Sequence, residues 1–151
     1  MIQAWSGAGA DRDTGLMRDP QVGGGGDRGG TRVLVVDDDP SILDTVSAIL
    51  SNEGYQVKSA AGGEEALALV EAWRPTLVLL DMRMPLMDGW AFARALHEAG
   101  SKVPIVVMTA AENAQRWAEE IDAAGHIAKP FHLDELLACV EKYGARDRKK
   151  N

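Results

Sequence analysis

The chain has 151 residues, a formal net charge of −7, 46% hydrophobic and 26% charged residues, a balance that suits one ordinary globular domain. A single cysteine, Cys139, excludes an intrachain disulfide and reads as a small buried hydrophobe; no apolar run reaches the roughly 18–20 residues of a membrane span, and the N-terminus lacks the basic start and apolar core of a secretory signal, so a cytoplasmic protein with no membrane partner is expected. Within residues 31–144 acidic side chains are twice as numerous as basic ones, which opposes a nucleic-acid partner.

Residues 1–30 carry Gly23-Gly24-Gly25-Gly26 and Gly29-Gly30 with few large apolar side chains. Such a segment buries too little surface to offset its ordering entropy and is expected to be disordered. No Gly-Lys-Ser/Thr follows the glycines, which sets a phosphate loop aside. Arg32-Val33-Leu34-Val35-Val36 reads as a buried strand that stops at three aspartates. Asp39-Pro40 then supplies a helix cap and a first-turn proline, Ile42 to Leu50 follow at helical spacing, and Gly54 ends the helix. A second strand is predicted over Tyr55–Ala60 and a helix over Glu64–Trp73, stopped before Pro75. Thr76–Leu80 is the third strand, again followed by an aspartate, Asp81. The remaining elements are a helix over Asp88–Ala99, a strand over Val103–Met108, a helix over Glu112–Ala123, a brief strand at Ile127-Ala128 and a helix over Leu133–Tyr143. Residues 145–151 form a short basic tail, expected to be a frayed, solvated end.

Five strands alternating with five helices, the strands near-continuously apolar, imply an α/β domain with a mostly parallel sheet covered on both faces. Ligands of such sheets bind beyond the carboxyl ends of the strands. At those ends the sequence places Asp37 and Asp38, Asp81, Thr109 and Lys129. Clustered carboxylates repel one another unless a cation sits among them. Their hard oxygens select Mg²⁺ or Mn²⁺ over zinc, for which the single cysteine and scattered histidines offer no cluster. A metal, an ammonium and a hydroxyl together suit a transferring phosphoryl group, and a carboxylate is itself a competent nucleophile. Asp39 is better explained as the helix cap than as a ligand.

Four segments carry a resemblance: Val33-Leu34-Val35-Val36-Asp37-Asp38-Asp39-Pro40, Leu79-Leu80-Asp81-Met82-Arg83-Met84-Pro85-Leu86-Met87-Asp88-Gly89, Val106-Val107-Met108-Thr109-Ala110 and Ala128-Lys129-Pro130-Phe131. Together they resemble the receiver domain of two-component response regulators, over residues 31–144. The resemblance implies a flavodoxin-like, doubly wound sheet of order 2-1-3-4-5. It also implies that Asp81 is the phosphoacceptor and that Asp37, Asp38, Asp81 and the backbone carbonyl of Arg83 hold Mg²⁺. Thr109 would be the switch hydroxyl and Lys129 the phosphoryl-pairing lysine. The implied partners are a sensor histidine kinase or histidine phosphotransfer protein and a downstream protein. With about seven residues after Gly144, a single-domain regulator is expected, acting on no substrate beyond its own phosphoryl group.

Departures from the family pattern are confined to a few positions. His126 stands three residues before the lysine, where the family often carries Tyr or Phe; it is either a flat ring filling the same space or a source of pH sensitivity. Arg83 and Ala111 flank the phosphoryl position, and Ala111 offers nothing to hold an attacking water, so a phospho-form lasting minutes or longer is expected. The stretch from Thr109 to Lys129 is short, which predicts an abbreviated fourth helix. Trp117 within it is either core or a partner anchor. An aspartate-nucleophile phosphatase would want a carboxylate where Arg83 stands. A flavodoxin-like cofactor binder is opposed by the acidic strand edge. A docking module without phosphorylation is the remaining alternative.

Overall fold

A computed structural model describes residues 30–144. The glycine-rich segment up to residue 29 and the basic tail 145–151 lie outside the described residues. Strands β1 (Arg32–Val36), β2 (Gln56–Ala60), β3 (Leu77–Asp81), β4 (Ile105–Ala110) and β5 (Gly125–Lys129) alternate with helices α1 (Pro40–Asn52), α2 (Gly63–Trp73), α3 (Gly89–Glu98), α4 (Ala111–Glu120) and α5 (Leu133–Gly144). All four strand pairings are parallel and the order is β2-β1-β3-β4-β5, the expected flavodoxin-like arrangement.

Strand alternation sorts the core into two layers. Val33, Val35, Leu77, Leu79, Val106 and Met108 face α1 and α5, meeting Val46, Leu50, Leu136 and Val140. Leu34, Val36, Val78, Leu80, Ile105 and Val107 face the other way, onto Ala66, Phe92, Leu96 and Ala118 of α2, α3 and α4. With both faces covered, β1, β3 and β4 are buried along almost their whole length, which is why they read as unbroken apolar runs. Cys139 is half-buried beside the first of these layers, and burial pushes its thiol up to about 11, so it stays protonated and unreactive.

Several element ends differ from the sequence expectation. Asp81 and Thr109 lie inside β3 and β4 rather than after them, in register with Met108 and Ala128. Strand pairing is made by backbone groups, so a polar side chain does not end it. The fourth helix is 10 residues long and stops at Glu120, not Ala123. Asp122 takes φ 57, and the N–H groups of Ala123 and Ala124 turn back to Ala118 O and Ile105 O, both at 2.8 Å. Among the described residues no helix is long and apolar enough to cross a membrane.

Candidate functional site

The point where strand order reverses lies between β1 and β3. Asp37 is the first residue after β1 and has no exposed surface; Asp81 closes β3 and is 7% exposed. Asp37 is held from three sides. Its N–H donates to Ala60 O at 3.1 Å, its Oδ1 accepts from Asp39 N at 2.9 Å, and its Oδ2 accepts from Lys129 Nζ at 2.7 Å. Asp81 Oδ1 accepts from Arg83 N at 3.2 Å and lies 3.9 Å from the same ammonium. Lys129 therefore pairs closely with Asp37 and only loosely with Asp81.

Asp38 is exposed, and Asp39 caps α1, accepting from Ser41 N at 2.9 Å. Asp39 is thus occupied as the cap, while Asp37, Asp38 and Asp81 lie close together. One carboxylate oxygen from each of the three lies within 4.8 Å of the others. The crowding has an electrostatic cost. Burial first, then Asp37 and to a smaller extent Asp38, push the Asp81 carboxyl up, while Lys129 and the Arg83 N–H pull the other way, and the balance raises it from its usual 3.8 to about 6. A hard divalent cation would relieve this repulsion, and the all-oxygen donor set fits Mg²⁺.

Thr109 is buried near the end of β4 (5% exposed), with Ala110 half-buried beside it and Ala111 opening α4. The Arg83 side chain is exposed. His126 lies in mid-β5, in register with Val107, and its ring is exposed over a cleft lined also by Gln115 and Glu119. Being exposed, it does not fill interior space. β5 ends at a cis Lys129-Pro130 peptide.

The loop after Asp81 is built on a contact the sequence reading did not single out. Asp88 caps α3 by accepting from Ala91 N at 2.9 Å, and Gly89 N donates to Met82 O at 3.0 Å. A Cβ on Gly89 would stand 2.7 Å from Met82 Cα, so only glycine permits this approach next to Asp81. The Asp-Gly pair was visible as a helix start; that its glycine abuts the residue after Asp81 was not. Trp117 is neither fully core nor free. It is half-buried, with its ring centroid 4.9 Å from that of Trp90 at an interplanar angle of 69°.

The family model for the response regulator receiver domain matches residues 33–141. Response regulator MprA of Mycolicibacterium vanbaalenii is 41% identical over 109 residues, covering 71% of this chain and 47% of the relative. Its counterpart in Mycobacterium avium is 39% identical over the same length, covering 71% and 48%. The chain thus spans about half the length of these curated relatives. Among solved structures, the chemotaxis protein CheY4 of Vibrio cholerae superposes with a TM-score of 0.69 at 32% identity, covering 75% of this chain and 98% of that one. The receiver domain of NtrX from Brucella abortus gives 0.69 at 32%, covering 74% and 96%.

Proposed function

Because this chain belongs to the response regulator receiver domain family, we propose that residues 31–144 form a phosphorylatable receiver in which Asp81 accepts a phosphoryl group from a phosphohistidine. The donor is a sensor histidine kinase or a histidine phosphotransfer protein, met in the cytoplasm. The observation that carries this reading is the convergence of Asp37, Asp38, Asp81 and Lys129, from three separate strand ends, around one partly desolvated carboxylate.

Above about pH 6 Asp81 is ionised. One of its oxygens attacks phosphorus, the P–N bond breaks with its electron pair going to the imidazole, and an acyl phosphate remains on Asp81. Mg²⁺, held by Asp37, Asp38, Asp81 and the backbone carbonyl of Arg83, would offset the charge on the transferring group. Lys129 then exchanges its carboxylate partner for the dianionic phosphoryl oxygens, and the Thr109 hydroxyl donates to another of them. Movement of Thr109 displaces the start of α4, and His126 on the neighbouring strand is the second switch position. A downstream protein reads that change; the acidic balance of residues 31–144 favours a protein over a nucleic acid. Such a domain promotes only its own phosphoryl uptake and loss. Ala111, which offers no polar side chain, supports a phospho-form that lasts minutes or longer.

The test is incubation with acetyl phosphate and Mg²⁺, followed by intact mass measurement beside an Asp81→Asn variant. A single phosphoryl adduct on the native chain alone is expected. Phosphate release without an adduct would favour an aspartate-nucleophile phosphatase, and no adduct under any condition would leave a docking module.

A further inference from the structure

We infer that Trp90, Trp117 and Glu120 form a clasp between α3 and α4 that sets how readily α4 follows the switch at Thr109; the inference rests on the phosphoacceptor reading of Asp81. α4 begins two residues after Thr109 and has no side-chain cap at its start. Its buried side chains are Ala114 and Ala118. Two alanines bury little apolar surface, so they hold a helix weakly. The largest apolar group that α4 presents to the rest of the fold is Trp117, packed edge-on against Trp90 of α3. One turn on, Glu120 Oε1 accepts from Trp90 Nε1 at 2.8 Å. Arg116 adds its guanidinium 6.0 Å from the Trp117 ring. Against α3, the hold on α4 is therefore concentrated at its C-terminal half, on Trp90.

That residue is closely wired to the site. Trp90 follows Gly89, which is bonded to and packed on Met82, which follows Asp81. The clasp thus joins the phosphoacceptor loop to the helix that Thr109 leads into. Its two rings form part of the wall of a cleft of about 460 Å³ shared with Met82, Arg83, Met84 and Asp88, so they have open space on one side while they pack against a core layer on the other. The clasp coexists with the arrangement in which Lys129 is paired to Asp37. Loosening it lowers the cost of leaving that arrangement.

The experiment titrates the native chain and variants with beryllofluoride, a phosphoryl mimic, in the presence of Mg²⁺ by calorimetry, with thermal denaturation in parallel. Trp90→Phe keeps a ring but removes the donor; Glu120→Ala removes the acceptor; Glu120→Gln keeps one. Losing one hydrogen bond should tighten beryllofluoride binding about two- to fivefold in both Trp90→Phe and Glu120→Ala. The double variant should gain no more than the better single, since both remove the same bond, and Glu120→Gln should match the native chain. A merely structural role would lower the melting temperature while leaving binding unchanged or weaker, and either result overturns the clasp, as does additivity in the double variant. If the native chain itself takes up no beryllofluoride, the phosphoacceptor reading fails and the clasp with it; native binding with unresponsive variants overturns the clasp alone.

Discussion

Lys129 and Asp37 meet at 2.7 Å across the sheet, one from the end of β5 and the other from the end of β1. The Asp37 side chain is 1% exposed, so that ammonium stands where water would otherwise solvate the carboxylate. Removing the cation from a buried pair leaves an uncompensated charge. Lys129→Met is expected to cost about 2–4 kcal/mol in urea denaturation with EDTA present. Added Mg²⁺ should recover part of the loss, and an Asp37→Asn/Lys129→Met double variant should lose less than the two singles together.

Asp81 carries a stability penalty whose sign follows from its raised pKa. Between about pH 4 and 6 the folded chain holds a proton there that the unfolded chain has released, so stability falls as pH rises through this window. Above it the penalty is complete; below it, absent. Asp81→Asn should therefore be more stable than the native chain at pH 7.5 in EDTA, by about 1–2 kcal/mol after allowance for solvent screening. The advantage should vanish below pH 4. Thermal melts of both proteins across pH 3.5–8 would check it, and a gap that widens toward low pH would contradict the assignment.

Neighbouring carboxylates on the β1–α1 turn should separate metal binding from helix capping. Asp38→Asn removes a charge from the exposed member of the cluster and should weaken Mg²⁺ by about tenfold or more with little effect on stability. Asp39→Ala removes the cap and should cost about 1 kcal/mol while leaving Mg²⁺ affinity near native. Isothermal titration and chemical denaturation of the two variants decide the matter.

Gly89 stands against the backbone of Met82. Gly89→Ala forces an overlap that neither backbone easily relieves and should destabilise the chain by about 1–3 kcal/mol. Because Met82 adjoins Asp81, the rate of phosphorylation by acetyl phosphate should also fall, even at temperatures where the variant remains folded. An unchanged rate in a destabilised variant would separate the loop's packing from its chemistry.

The sheet and the residues at its carboxyl edge were legible because buried parallel strands announce themselves twice, by apolar runs and by the polar residue that closes each run. Asp37, Asp81, Thr109 and Lys129 all follow that pattern. Which carboxylate Lys129 prefers was not legible, since it depends on how far a β5 lysine reaches across β4 and β3. Nor was the role of Trp90. Helical periodicity marks the face turned to the sheet, whereas Trp90 and Trp117 touch at the seam between two helices, where no periodic signal exists. His126 was open between two readings for a related reason: alternation in β5 is too short to say which side chains the short α4 leaves uncovered.

The reach of Lys129 also bears on how the protein fails. Among the described residues β5 is an edge strand, paired with β4 on one side, and edges with few partners open before the centre of a fold does. A chain frayed there still keeps most of its interior, yet it has withdrawn the Lys129 ammonium from Asp37 and Asp81. The cluster of Asp37, Asp81 and Lys129 therefore exists only while the last strand is seated, so heat should take this edge of the sheet apart before it reaches the core.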